Sequence, residues 1–410
     1  MSRAVIVVRT ANRPEILNRC IAAALDGCDV ARAAHWVVLD DSSPDKLIPT
    51  REIAQYWNRF GLRLAYVDKT VEEQIADSLP GSTFSSYFAH LAARPPVCRT
   101  GGGRTLALTA GLSLNPDMLF FIDDDMVHRH DGNCFFHWCA CSSRPDSFVA
   151  APRKLGISDM AYLNRLVAVL DRDDWAQLLS DAGISLDPDS WYSPKNPFWK
   201  RRDEDIDGAP ATVTERDVVS GQFMALRNSG TEWLPFPSQY NEDLNWCILQ
   251  SACFGTTFLK LAGANVQHLP PLLGHPKAES ILSELVGTAL LRALREIKPR
   301  GEQPLSALAV RLPDVLAAEL KRELFLFLRL ERAILARVRV FADGVPAGGT
   351  VSKLGSTLAE VGKRLESIDS RHLAAEWLDD FAGRCKMFHE LRSNEMVQKQ
   401  IRRVLLEASV

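Results

Sequence analysis

Hydrophobic and polar positions divide this chain into two stretches with different periods. Up to about residue 270, short apolar runs alternate with amphipathic segments. Residues 4–9 (Ala-Val-Ile-Val-Val-Arg) read as a buried strand, apolar up to Arg9, and Pro14 follows, suited to a first helical turn. Ile16, Leu17, Cys20, Ile21, Ala24 and Leu25 then repeat at helical spacing as far as Gly27. A second strand is predicted over 35–39, a helix over 45–60, a third strand over 62–67 and a helix over 103–113. Met118-Leu-Phe-Phe-Ile122 is the next buried run. Strands are also predicted over 218–226 and 256–268, with a helix from the 240s to about Cys253 between them. Strands alternating with helices over short connections predict an α/β fold, with a mixed, mostly parallel sheet flanked by helices. Residues 185–216, rich in Asp, Pro, Trp, Lys and Arg, carry no period and read as a long ordered loop or insertion.

From about residue 277 the pattern becomes helical throughout. Helices are predicted over 278–298, 313–341, 351–367 and 371–408, broken by Gly/Pro stretches at 299–304 and 343–349. The expected organisation is therefore an α/β domain at 1–277 followed by an all-α domain at 278–410. Leu316, Leu320, Leu324, Phe327, Leu328, Ile334, Leu335 and Val338 make a broad apolar stripe on the longest helix. A stripe of that size must be covered, by the rest of the chain, by a second copy in a homodimer, or by a membrane surface.

Composition narrows the partners. The chain of 410 residues is 46% apolar and 24% charged, with a net charge of −3, which gives no footprint for nucleic acid. Acidic residues outnumber basic ones up to residue 277, and the balance reverses after it. No leader-like segment opens the chain, and no apolar run reaches the roughly 18 residues of a membrane span, so a cytoplasmic protein without a transmembrane segment is expected. Nine scattered cysteines predict thiols rather than a disulfide framework. Cys134, His137, Cys139 and Cys141 lie in an apolar helical run without zinc-knuckle spacing, and are expected to pack.

The chemistry concentrates at strand ends. Asp40 and Asp41 follow the second strand in Asp-Asp-Ser-Ser-Pro, which also offers capping residues for the next helix. Asp123, Asp124 and Asp125 end the apolar run beginning at Met118. The C-terminal ends of strands are where open α/β sheets bind ligands. If the chain stays extended, Asp123 and Asp125 face the same way and offer hard oxygens to Mg2+ or Mn2+ and, through it, to a diphosphate. Gly101-Gly102-Gly103-Arg104 opens a helix, an arrangement in which backbone and guanidinium can approach phosphate.

Four segments stand in a specific order: Val-Ile-Val-Val-Arg-Thr-Ala-Asn-Arg-Pro, Val-Val-Leu-Asp-Asp-Ser-Ser-Pro-Asp, Phe-Phe-Ile-Asp-Asp-Asp-Met, and Ser-Gly-Gln-Phe-Met-Ala-Leu with Tyr-Asn-Glu-Asp-Leu-Asn-Trp. Over about residues 4–270 this order resembles the family 2-like glycosyltransferases with a GT-A fold. The resemblance implies a nucleotide-sugar donor, a Mn2+ or Mg2+ ion, and a glycan or small-molecule acceptor. It places Thr10 and Arg13 in the loop lining the nucleotide pocket, Asp41 on the base, and Asp123 and Asp125 on the metal. His268, at a late strand end, is the implied third metal ligand, with His275 as the alternative. Glu242 and Asp243 match the acidic motif beside the acceptor, and Asp243 is the implied base of an inverting transfer, although the same pair also resembles that of retaining relatives. Where many relatives carry Ala-Arg-Asn-x-Gly, this chain has Ala107-Leu-Thr-Ala-Gly111, without the Arg and Asn. Two other readings stay open: a haloacid-dehalogenase-like phosphatase with Asp123 as nucleophile, since Asp123–Val127 also fits D-x-D-x-[TV], and a non-catalytic transferase-like scaffold.

Overall fold

The computed structural model describes residues 3–79, 99–129, 134–144, 148–156, 180, 213–228, 232–268, 277–297, 304–342 and 348–408. His275 and most of 185–216 lie outside them.

The first half opens as β1 (Ala4–Thr10), α1 (Pro14–Leu25), α2 (Asp29–Ala33), β2 (His35–Asp40), α3 (Pro44–Arg59), β3 (Arg63–Val67) and α4 (Lys69–Ser78). Next come α5 (Arg99–Ser113), β4 (Met118–Asp123), β5 (Met126–Arg129), α6 (Phe135–Cys141) and β6 (Phe148–Gly156). After β7 (Val213–Arg216) and β8 (Phe223–Arg227), α7 (Glu242–Phe254) and β9 (Thr257–His268) complete the sheet region. The nine strands form one sheet in the order β3-β2-β1-β4-β8-β6-β9-β5, with β7 on β9. β1, β2, β3 and β4 are mutually parallel, β8 runs against β4 and β6, and β9 is parallel to β6. β5 and β7 run against β9, so six of the nine strands share one direction. This is the mixed, mostly parallel sheet flanked by helices that the GT-A resemblance implies.

Alternation of side chains explains the two faces. Ile6, Val8, Trp36, Val38, Leu64, Phe120 and Ile122 pack with α1, α2, α3 and α6 on one side. Val5, Val7, Val37, Leu39, Val67, Leu119 and Phe121 pack on the other. That second core continues without a break into the C-terminal helices: α8 (Ala278–Ile297), α9 (Pro304–Ala342), α10 (Gly348–Glu366), α11 (Ser370–Ser393) and α12 (Glu395–Glu407).

These helices do not stand apart from the sheet. α8 packs on α7, and α12 packs on α4, α5 and β3. Arg402 Nε donates to the Ser113 carbonyl at 2.7 Å, Ser113 Oγ donates to Gln398, and the Tyr66 N–H donates to the Ala408 carbonyl at 3.2 Å. Along the apolar stripe Leu316, Leu320 and Phe327 are buried, and Leu324 and Leu335 are half-buried in the same core. Over its described part the stripe is thus covered by the chain itself, although Leu328 at its edge keeps 36% of its surface. No helix among the described residues is long and apolar enough to cross a membrane.

Several elements differ from the sequence reading. β8 begins at Phe223 rather than 218, because Val218–Gln222 turns into the site. The helix predicted over 371–408 is two helices, since Asn394 adopts an extended conformation and its side chain accepts from the Val397 N–H, capping α12. α9 starts at Pro304, earlier than predicted, and carries Pro313 within it. Ser43 is the N-cap residue of α3, but its side chain makes no capping bond. Cys139 packs in the core and Cys134 is half-buried, whereas His137 and Cys141, expected to pack, are exposed; no disulfide joins the eight described cysteines.

Candidate active site

The ends of β1, β2, β4 and β9 meet the starts of β8 and α7 at one rim of the sheet. The loop after β1 is joined to the loop after β2: Asn12, in a left-handed conformation (φ 60°), donates its N–H to Ser42 Oγ at 2.6 Å. Its side-chain oxygen accepts from the Ser43 N–H and hydroxyl, both at 2.7 Å. The Asp41 N–H donates to the Thr10 carbonyl. The two acids after β2 are thereby sorted. Asp40 is buried and accepts from the Tyr66 hydroxyl and the Ser42 N–H. Asp41 is exposed on the joined loops, where a ligand can reach it.

The acidic triplet does not remain extended. Asp123 ends β4, Asp124 and Asp125 form a turn, and β5 starts at Met126, so the simple alternation that would align Asp123 with Asp125 is interrupted. The three carboxylates go three ways. Asp123, partly exposed, lies 3.3 Å from Arg104 Nη2. Asp124 is fully buried, accepts from Thr10 Oγ1 at 2.6 Å and pairs with Arg13 Nη2 at 2.7 Å. Burial pushes the Asp124 carboxyl up to about 7, against the pull of the Arg13 guanidinium and the Thr10 hydroxyl. Asp125, 5% exposed, lies 3.3 Å from Arg13 Nη1 and 3.4 Å from His268 Nε2. The imidazole arrives there because β9 pairs with β5 so that His268 stands opposite Met126.

The Glu242–Asp243 motif opens α7, as its sequence suggests. Asn241 provides the left-handed entry (φ 61°). Beneath it, Trp246 stacks on Phe236 at 4.8 Å and its indole N–H donates to the Leu234 carbonyl. Gln250 accepts from the Leu234 N–H, and the Phe236 N–H donates to Thr105 Oγ1 on α5. The segment leading into the motif is therefore fixed from both sides. Glu242 is buried and accepts from Arg104 Nε at 2.7 Å. Asp243 is half-buried, and accepts from the Gly221 N–H at 2.6 Å and the Leu244 N–H at 2.9 Å.

Arg104 joins these parts. Its third nitrogen, Nη1, donates to the Gly221 carbonyl, so each guanidinium nitrogen already has a protein acceptor. Burial opposes its charge, but Asp123, Glu242 and Asp243 outweigh burial and hold its pKa above the ordinary value. Burial likewise raises the Glu242 carboxyl, with Arg104 opposing. Gly221 leaves room for the arrangement: a Cβ there would sit 2.7 Å from Asp243 Cβ and 3.0 Å from Arg104 Nη1.

The sequence reading thus named residues that do meet: Arg13 with Asp125, Asp125 with His268, Arg104 with Asp123 and Glu242, while Thr10 meets Asp124 instead. It did not single out Asp124, Gly221 or Asn12. Nothing in the triplet itself marks Asp124 for burial, because its partner Thr10 lies 114 positions away. A Ser-Gly-Gln turn before a strand marks a close backbone approach, which was a signal for Gly221. The side chains of Thr10 and Arg104 are committed to protein partners rather than presented to a ligand.

Among the described residues no three His, Cys, Asp or Glu side chains form a metal-binding group. The pair that converges, Asp125 and His268, is a hard oxygen with a borderline nitrogen. Mg2+ and Mn2+ are commonly held by one or two protein ligands while substrate phosphates complete the shell, and the pair fits that mode.

No family model matches the chain, and no curated protein does. Solved structures similar to it include a mannosyltransferase from Pyrobaculum calidifontis in complex with GDP-Man and Mn2+. It is 14% identical, with 92% of this chain and 86% of that one covered and a TM-score of 0.36. Another is glucosyl-3-phosphoglycerate synthase from Mycobacterium tuberculosis in complex with Mn2+, UDP-glucose and phosphoglyceric acid. It is also 14% identical, with 72% and 79% covered and a TM-score of 0.35. At such distances the likenesses assign no activity.

Proposed function

We propose that the chain is a glycosyltransferase that moves a sugar from a nucleotide-sugar donor to an acceptor hydroxyl, with inversion. One observation carries the reading. A single guanidinium, that of Arg104, holds Asp123 at the end of β4 and Glu242 at the start of α7, so the diphosphate side and the acidic motif form one site. Such a reaction needs those two halves side by side.

In this reading the joined loops after β1 and β2 receive the nucleotide, with Asp41 on the base. Asp125 and His268 would hold Mn2+ or Mg2+, and Asp123, two residues before Asp125 at the end of β4, is the further carboxylate on that side. When bound, that ion offsets the charge gathering on the departing diphosphate. Arg13 backs Asp124 and Asp125 and keeps the turn between β4 and β5 in shape. Thr10 acts through Asp124, and Arg104 acts by orientation rather than as a phosphate ligand.

Asp243 accepts the proton of the acceptor hydroxyl. A carboxylate offers about four lone-pair sites. Two of those on Asp243 are used by backbone N–H groups, which fix the side chain, and the residue is only half-buried. Glu242 is buried against Arg104, so it serves as a positioning residue. The choice of Asp243 over Glu242 rests on that difference in access.

A thermal-shift panel of UDP-, GDP-, CDP- and dTDP-sugars with Mn2+ tests the donor half. A ligand bound only by the native state raises the melting temperature with the logarithm of its concentration. One sugar nucleotide is expected to stabilise the protein in Mn2+ and not in EDTA. No shift with any of them would overturn the reading.

A further inference from the structure

We infer that the C-terminal helical layer is a positioning device for the acidic turn, with Gly287 as its register residue. The inference rests on the assignment of Asp243 as base. The chain between Phe236 and Glu242 is gripped by α8 and α11 at three points. Gly287 sits inside α8 where a Cβ would lie 2.3 Å from the Tyr240 carbonyl oxygen and 2.8 Å from its carbon. The helix and the turn therefore touch backbone to backbone. One residue on, Asn241 Nδ2 donates to Thr288 Oγ1 at 3.4 Å. Two residues before Tyr240, Ser238 Oγ donates to Asp380 Oδ2 of α11 at 2.8 Å, and the buried Arg384 Nε donates to the same oxygen at 2.9 Å.

The local chemistry shows why a grip is needed. Asn241 is left-handed, a conformation that non-glycine residues adopt only where surroundings hold them. A glycine inside a helix costs stability relative to alanine, so its presence in α8 is suited to this close approach. Gly221 holds the Asp243 carboxylate from the sheet side, and Gly287 holds the backbone three residues earlier from the helix side. The acid is thus located between two glycine contacts, one from each half of the chain. An error of about 1 Å in such a group is enough to lose about 10²-fold in rate.

The test uses the full chain. In Gly287→Ala, kcat is expected to fall about 10²-fold while donor affinity, by calorimetry with nucleotide-sugar and Mn2+, stays within about twofold. The methyl forced against the Tyr240 carbonyl is also expected to lower the melting temperature, so the specific readout is amide hydrogen exchange across 238–245 quickening more than in the rest of the chain, which does not depend on transfer. Wild-type exchange and wild-type kcat in Gly287→Ala would overturn the inference. So would donor affinity falling in parallel with kcat while exchange quickens uniformly over the chain, the pattern of a merely structural residue. Should Gly287→Ala not fold, the Thr288→Val, Ser238→Ala double variant decides, with the same split expected at about three- to tenfold, and wild-type exchange and kcat overturning the inference. Failure of the base assignment is read separately, as retained turnover in Asp243→Asn with Gly287 intact.

Discussion

The backbone N–H of Gly221 donates to the Asp243 carboxylate at 2.6 Å, while the carbonyl of the same glycine accepts from Arg104. One peptide segment before β8 thus binds both the half-buried acid and the buried cation. Gly221→Ala would push a methyl into Asp243 Cβ and the guanidinium. The expected cost is about 1–3 kcal/mol, the usual range for overpacking. Denaturant unfolding measures it, and a rate loss larger than the stability loss is expected in the transfer assay.

For Asp243→Asn the prediction is retained donor binding with transfer reduced by about 10²-fold or more, as for loss of a general base. Calorimetry and initial rates separate the two. Wild-type turnover in Asp243→Asn alongside lost turnover in Glu242→Gln would reverse the roles of the two acids.

Removing the metal pair should show without any turnover. In wild type, Mn2+ with a nucleoside diphosphate is expected to raise the melting temperature. Asp125→Asn and His268→Gln should each remove most of that shift and leave the ligand-free melting temperature close to wild type. A shift that persists in both variants places the ion elsewhere.

Arg104→Met leaves Glu242 buried without its partner. Breaking a buried pair by removing one side typically costs about 3–5 kcal/mol, because the remaining charge stays uncompensated. The double variant Arg104→Met, Glu242→Leu should recover most of that stability and none of the transfer activity, since the double change also frees Asp123. Chemical denaturation of the two variants tests this.

Truncation at residue 277 is expected to give insoluble chain rather than a working α/β unit. α8 alone buries Ile281, Leu285, Ala289, Leu290, Ala293 and Leu294 in the core shared with the sheet. Each fully buried large side chain contributes about 1.5–3 kcal/mol. Solubility and light scattering of residues 1–277 check the expectation.

Sequence carried the parts of the fold that rest on local pattern. β1, β2 and β4 are apolar runs, α1 has Pro14 at its start and Gly27 just past its end, and the acids at strand ends sit at the ligand rim. Short strands were lost. β5 is only Met126–Arg129 and β7 only Val213–Arg216, and each is a strand because β9 lies beside it; the longer β6, held between β8 and β9, was lost as well. Within the site, residue types were legible and their commitments were not. Arg104 looked free for phosphate because its partner Glu242 is 138 positions away. Asp124 looked like the spare acid of the triplet because the turn that buries it against Thr10 is set by contacts 114 positions apart.

β3 stands at one end of the strand order, and its Tyr66 N–H is taken by the Ala408 carbonyl beyond α12. An open sheet edge is a template on which another chain can add a strand. Here the helical layer, by reaching back across the sheet, occupies part of that template. Loss of α12 would therefore do more than remove buried surface: it would bare part of a parallel edge and invite growth of the sheet from molecule to molecule.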